Sequence, residues 1–243
     1  MAEPKMALEE QRPGVSAGLV GMLNVFVDPK ATAKRVPAPF SWLWPLIVLC
    51  VIYIAVGLMT APYAISIADA QIAQRGLSAD QAERARSITH VISQITPIVT
   101  PVVVILFLLL FAWLVVVVGS MAGLRTKFRD VFSLMAACSL VAALQSIATI
   151  IVVRAKGDEI TSQEQLQPPF GLDIFFQNIH GPLLAVANFF SIFQIWYLIV
   201  LTIGLAALAK TTKGKAFFAI TLTWVIPLLL RVIQAMFQGT PSS

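Results

Sequence analysis

Polar side chains are scarce in this sequence, and the few that interrupt its apolar runs are where chemistry would have to sit. Gln145, Asn188, Gln194 and Arg231 are the candidates. At about 100° per residue, Asn188, Ser191, Gln194 and Thr202 fall within roughly 120° of one helix face. Ser139, Ala142, Ala143 and Ser146 make a small-residue stripe on another helix, with Gln145 beside it. An ionisable group at the centre of a bilayer costs roughly 2.5–3.5 kcal/mol, so Arg231 needs a reason. Two are open: its long stem lets the guanidinium reach the outer headgroups, or it faces a partner or a substrate. The amides have two readings as well. They serve as hydrogen-bonding glue between helices, or they line a ligand or lipid cavity.

Other chemistry lacks its parts. There is no Ser–His–Asp order, no HExxH, no glycine-rich phosphate loop and no pair of intramembrane aspartates. Cys50 and Cys138 lie in apolar runs with no Cys–His cluster for zinc. His90 and His180 each precede an apolar run; a metal there would need further ligands, for which Asp69 or Asp173 could be nominated. The expectation is a non-enzymatic protein with no catalytic residue, no cofactor and no metal.

The elements that carry these residues are set by hydropathy. Of the 243 residues, 58% are hydrophobic and 12% charged, about half the charged share of soluble domains. Five runs are long enough for a helix to cross about 30 Å of hydrocarbon. They lie at about residues 41–60, 98–119, 132–153, 184–208 and 216–237. Lipid leaves no water for unpaired backbone, and β-barrel alternation is absent, so all five are read as α-helices. The fold class is an all-α membrane protein.

Charge gives the orientation. With the N-terminus in the cytoplasm, eleven cations lie inside: Lys5, Arg12, Lys30, Lys34, Arg35, Arg125, Lys127, Arg129, Lys210, Lys213 and Lys215. Six lie outside: Arg75, Arg84, Arg86, Arg154, Lys156 and Arg231. The two inside loops are short, where the bias toward inside cations holds best, so the C-terminus is outside. The net charge of +5 is thereby explained without nucleic acid.

Residues 1–14 read as a flexible tail without a cleavable leader, leaving the first span as the insertion signal. Residues 15–37 read as an amphipathic interfacial segment on the cytoplasmic leaflet. Leu19, Met22, Leu23 and Phe26 repeat at helical spacing, and Asp28 caps a second short helix opened by Pro29. That helix brings Lys30, Lys34 and Arg35 to lipid phosphates, and Trp42 and Trp44 anchor the next span at the interface. Residues 38–238 form the membrane domain and 239–243 a tail. Residues 61–94 read as a long outer loop in which Ser78 and Gln81 form a capping box. The helix they open leads into the second span, where Pro97 and Pro101 kink or restart it.

The opening Val-Gly-Met-Leu-Asn-Val-Phe-Val-Asp-Pro-Lys-Ala-Thr-Ala-Lys-Arg-Val of residues 20–36, followed by Trp42, Trp44 and Pro45, resembles the Yip family of Ypt/Rab-interacting membrane proteins, in its bacterial branch. The Gly-Ser-Met-Ala-Gly-Leu-Arg-Thr-Lys-Phe-Arg-Asp-Val-Phe-Ser of residues 119–133 is similar to that family's loop into its third span. Phe193, Trp196, Tyr197, Gly204 and Leu205 are similar to its fourth span, and Lys213, Gly214 and Lys215 to the basic loop after it. The resemblance implies five spans, a cytoplasmic N-terminus and an adaptor or scaffold in the bacterial cytoplasmic (inner) membrane. Its partners would be membrane lipids and either a partner protein or further copies of itself. The Asp-Leu-Tyr-Gly-Pro motif of eukaryotic members is absent, so GTPase binding is not implied. A small transporter, channel or lipid-handling subunit built on Gln145, Asn188, Gln194 and Arg231 is the alternative reading.

Overall fold

The computed structural model describes residues 22–157, 160, 170–171, 183, 186–187 and 189–238. No strand occurs among them. Residues 22–27 are helical, and Asp28 ends that turn and begins the next. Its carboxylate accepts from the backbone N–H groups of Lys30 and Ala31, both at 3.1 Å, capping α1 (Pro29–Arg35). Proline at the first helical position costs no hydrogen bond there.

Four long helices and one shorter one follow: α2 (Leu43–Gln74), α3 (Ala79–Met121), α4 (Phe128–Lys156), α5 (Ile192–Leu208) and α6 (Lys213–Gln238). The long four are each long and apolar enough to cross a membrane, in α6 over Lys213–Leu230; α5 is apolar but only 17 residues long. The helices exceed the expected spans where polar residues enter. Residues 61–94 are not a loop: α2 continues to Gln74, and only residues 75–78 turn before α3 begins. The expected capping box is present, with Ser78 Oγ accepting from Gln81 N–H at 3.4 Å and Gln81 Oε1 accepting from Ser78 N–H at 3.3 Å.

Pro97 and Pro101 do not restart α3, which runs unbroken through both. Their missing amide donors take the usual i→i−4 partner from Ser93 O and Pro97 O. Thr96 Oγ1 donates to Ile92 O at 2.7 Å and Thr100 Oγ1 to Thr96 O at 2.8 Å, each one residue short of those carbonyls.

The packing register follows from a few contacts. Trp42 meets Phe132 with ring centroids 6.2 Å apart, Ile67 packs with Val153, and Gly57 lies against Pro97. Gly204 lies against Leu134. α4 is the central helix, with residues 131–141 buried one after another; a helix buried all round belongs in a core. α2 and α3 leave large apolar side chains such as Leu58, Ile98 and Leu106 about 60–70% exposed, which suits lipid.

This register puts charge at the two ends of the bundle. At one end stand Arg125, Lys127, Lys210, Lys213 and Lys215, all exposed. At the other stand Asp69, Arg86, His90, Arg154 and Lys156. Between them α4 is charge-free over residues 131–153, roughly 34 Å at about 1.5 Å per residue, close to the hydrocarbon thickness.

Candidate functional site

A polar seam crosses the middle of this apolar bundle. Ser139 and Ser146 are two turns apart on the central helix α4, so they share a face. Each faces a tyrosine from a neighbouring helix: Tyr53 of α2 stands beside Ser146, and Tyr197 of α5 beside Ser139. Ser139 Oγ donates along its own helix, to Met135 O at 2.8 Å. Buried tyrosines need such partners, since an unpaired phenol in hydrocarbon is costly. The stripe of small residues was legible in the sequence. The tyrosines were not singled out, although a tyrosine mid-span is itself a signal that a partner faces it.

Gln145 lies one residue from Ser146 and joins α4 to the start of α5. Ser191 Oγ donates to Gln145 Oε1 at 2.7 Å, and the same Ser191 oxygen accepts the Gln194 backbone N–H at 3.1 Å, capping α5. Gln145 is eight residues before Val153, so this junction lies roughly 12 Å from the Val153 end of the charge-free stretch. Ser191, which the sequence had placed only on the shared face of α5, bonds the Gln145 side chain but reaches Gln194 only at its backbone N–H. Asn188 and the side chain of Arg231 lie outside the described residues.

Among the described residues, two buried donors next to this seam have no hydrogen-bond partner: Gln194 Nε2 and Trp224 Nε1. Trp224 sits among rings, stacked on Phe111 with centroids 5.7 Å apart and edge-on to Tyr197 at 5.6 Å and Phe189 at 5.9 Å. Nothing described in the seam resembles a catalytic constellation, because no carboxylate, histidine or lysine among the described residues enters it. Its chemistry is hydrogen bonding. We expect Ser191→Ala to lower stability by about 1 kcal/mol, the usual worth of an interhelical hydrogen bond in a membrane, measured by unfolding in mixed micelles.

At the end where α2 turns into α3, Asp69 lies 4.0 Å from Arg86 Nε and 3.9 Å from His90 Nε2. Among the described residues no group of three His, Cys, Asp or Glu side chains is placed to hold a metal. His180 and Asp173 lie outside the described residues.

At the opposite end, Lys30, Lys34 and Arg35 are exposed on α1 while Thr32 and Ala33 are buried. Trp42 and Trp44 are half-buried, Trp42 between Phe40 and Phe132. The apolar face of residues 22–36 is covered by protein: Met22, Val25 and Val36 are buried in the main core cluster, and Phe26 meets Trp196 edge-on at 5.9 Å. Leu23 and Val27 face outward at 62% and 88% exposure, beside the cations.

A bundle of apolar helices longer than a bilayer is thick, charged at its ends, defines a multi-pass membrane protein. The family model for the Yip1 domain matches residues 23–233, from the buried face of the N-terminal segment to the far part of α6. The chain belongs to the Yip1 domain family. No curated protein and no solved structure matches it.

Proposed function

We propose that this protein is a non-enzymatic adaptor or scaffold of the bacterial cytoplasmic membrane, spanning it five times with its N-terminus inside and its C-terminus outside. α5, with residues before Ser191, supplies the fifth crossing. The observation that carries the reading is the Yip1 domain match over residues 23–233, joined to the asymmetry of the two ends. Among the described residues, one end gathers Arg125, Lys127 and Lys210 on its short loops and Lys30, Lys34 and Arg35 on α1, with Asp28 and Asp130 as the acids beside them; an excess of Lys and Arg on short loops is the signature of a cytoplasmic face. Exposed Lys30, Lys34 and Arg35 stand next to exposed Leu23 and Val27, a combination that engages anionic headgroups and the acyl boundary together. Partner proteins dock on this cytoplasmic face.

Photo-crosslinkers placed in living cells at Lys127, Thr212 and Leu77 test this. The adaptor reading expects discrete protein adducts from Lys127 and Thr212 and none from Leu77, at the hairpin turn between α2 and α3. Adducts from Leu77 alone would contradict it.

A second reading has its own support in the unpartnered buried donors Gln194 Nε2 and Trp224 Nε1, since buried donors are almost always paired. A lipid-handling or transport subunit would use them to hold an acceptor oxygen. Proteoliposomes carrying labelled lipid decide between the two: movement of lipid that falls in Gln194→Leu favours the second reading, and none in the unmodified protein removes it.

A further inference from the structure

Residues 22–36 form an arm that folds back along the bundle. Phe26 meets Trp196, near the start of α5. At the arm's other end Arg129 Nη2 donates to Pro37 O at 2.6 Å, and Arg129 heads the helix that packs against the end of α5. The arm therefore runs parallel to α5. Val25 is 0% exposed, and Met22, Ala33 and Val36 are buried with it. Only residues 37–41 connect the arm to the rest of the bundle.

That connector is strained. Phe40 has φ 58°, a region that bulky L-residues rarely enter and that costs on the order of 1–3 kcal/mol. Its side chain is 68% exposed, so little packing offsets the cost. Pro37 and Pro39 stiffen the same stretch. A short strained connector bearing an arm with its own set of buried contacts is the arrangement that favours exchange between identical chains. The helix that receives the arm also presents Ile192, Ile195 and Ile199, at 67%, 38% and 53% exposure, on a face that meets either lipid or a second copy. Their spacing is that of a helix–helix seam.

We propose that two copies exchange residues 22–36, each arm lying along the other copy's α5, to form a two-fold dimer. The buried contacts of the arm are the same before and after exchange. The driving terms are release of strain at Phe40 and the new contact between exposed α5 stripes. Five extended residues reach roughly 17 Å, so the two α5 helices must be neighbours. Resting on the reading that the chain spans a bilayer, both copies share one orientation, and the two-fold axis is normal to the membrane.

The test uses full-length protein in its membrane, with Cys50→Ser and Cys138 retained, since Cys138 is 0% exposed. Two differently tagged copies are expressed together, one with Phe26→Cys and the other with Trp196→Cys, and treated with a short thiol crosslinker. Exchange expects a product carrying both tags, in large excess over the same experiment with Val27→Cys, which points outward. Phe40→Gly removes the strain at no steric cost and lowers the doubly tagged product about tenfold. Product no greater than the Val27→Cys control, or unchanged by Phe40→Gly, overturns the proposal. If Trp196→Cys does not fold, mass measurement of unmodified protein in native-lipid particles takes its place: dimers that become monomers in Phe40→Gly support exchange, and monomers throughout refute it. Topology is read separately, so failure here leaves the five-span reading untouched.

Discussion

Gly57→Leu is expected to part α2 from α3 and lower stability by about 3 kcal/mol, the upper end for overpacking a closed contact. A Cβ at position 57 would lie 2.9 Å from Pro97 Cβ and 3.0 Å from Pro97 Cα. Both neighbours are rigid, one a ring and one backbone, so neither can turn aside. Gly204 makes a comparable contact, with a Cβ placed 2.8 Å from Leu134 Cδ1, but there the obstacle is the end of a side chain with more freedom. Thermal unfolding in a mild detergent, comparing Gly57→Ala, Gly57→Leu and Gly204→Ala, checks both the size and the order. A Gly57→Leu protein as stable as its parent would mean that α2 and α3 do not touch at Pro97.

Removing the cations of the N-terminal helix should have an effect of similar size on lipid rather than on folding. Lys30, Lys34 and Arg35 are exposed and contribute no buried contact of their own. Near an anionic membrane surface each is worth about 1 kcal/mol, so the triple alanine variant should lose roughly 100-fold in its preference for anionic over zwitterionic lipid. Lipid retained through purification and counted by native mass spectrometry measures this. Thermal stability should be unchanged, because the capping carboxylate of Asp28 and the buried Thr32 and Ala33 remain. Equal retention of anionic lipid by both proteins would remove α1 from the lipid-facing account.

What could be read from the sequence was what is local. The Asp28–Pro29 start of α1 and the Ser78/Gln81 box are each fixed by a few neighbouring residues, and both form as their side chains dictate. Hydropathy located the helices of the bundle but not their ends. Residues 61–74 carry Ser66, Asp69, Gln71 and Gln74, which end an apolar run yet not a helix, since alanine and isoleucine around them keep helical propensity. Proline misled because its tolerance is decided by a neighbouring helix: Pro97 lies in close contact with Gly57 of α2, which no local signal in α3 announces. The seam was half legible. Ser139, Ser146 and Gln145 stood out as polar residues at helical spacing, whereas Tyr53 and Tyr197 come from helices whose pairing depends on tertiary register. The docking of Val25 and Phe26 on α5 joins segments about 170 residues apart, and no periodicity in either one announces the other.

The most direct test of the account is the side of the membrane on which each turn lies. Single cysteines at Leu77, Thr126 and Thr212, with Cys50→Ser, are exposed to a membrane-impermeant thiol reagent in intact cells and again after the membrane is opened. A five-span protein with its basic end inside predicts labelling of Leu77→Cys in intact cells, and of Thr126→Cys and Thr212→Cys only after opening. Labelling of Thr126→Cys or Thr212→Cys in intact cells, or protection of Leu77→Cys, would contradict it.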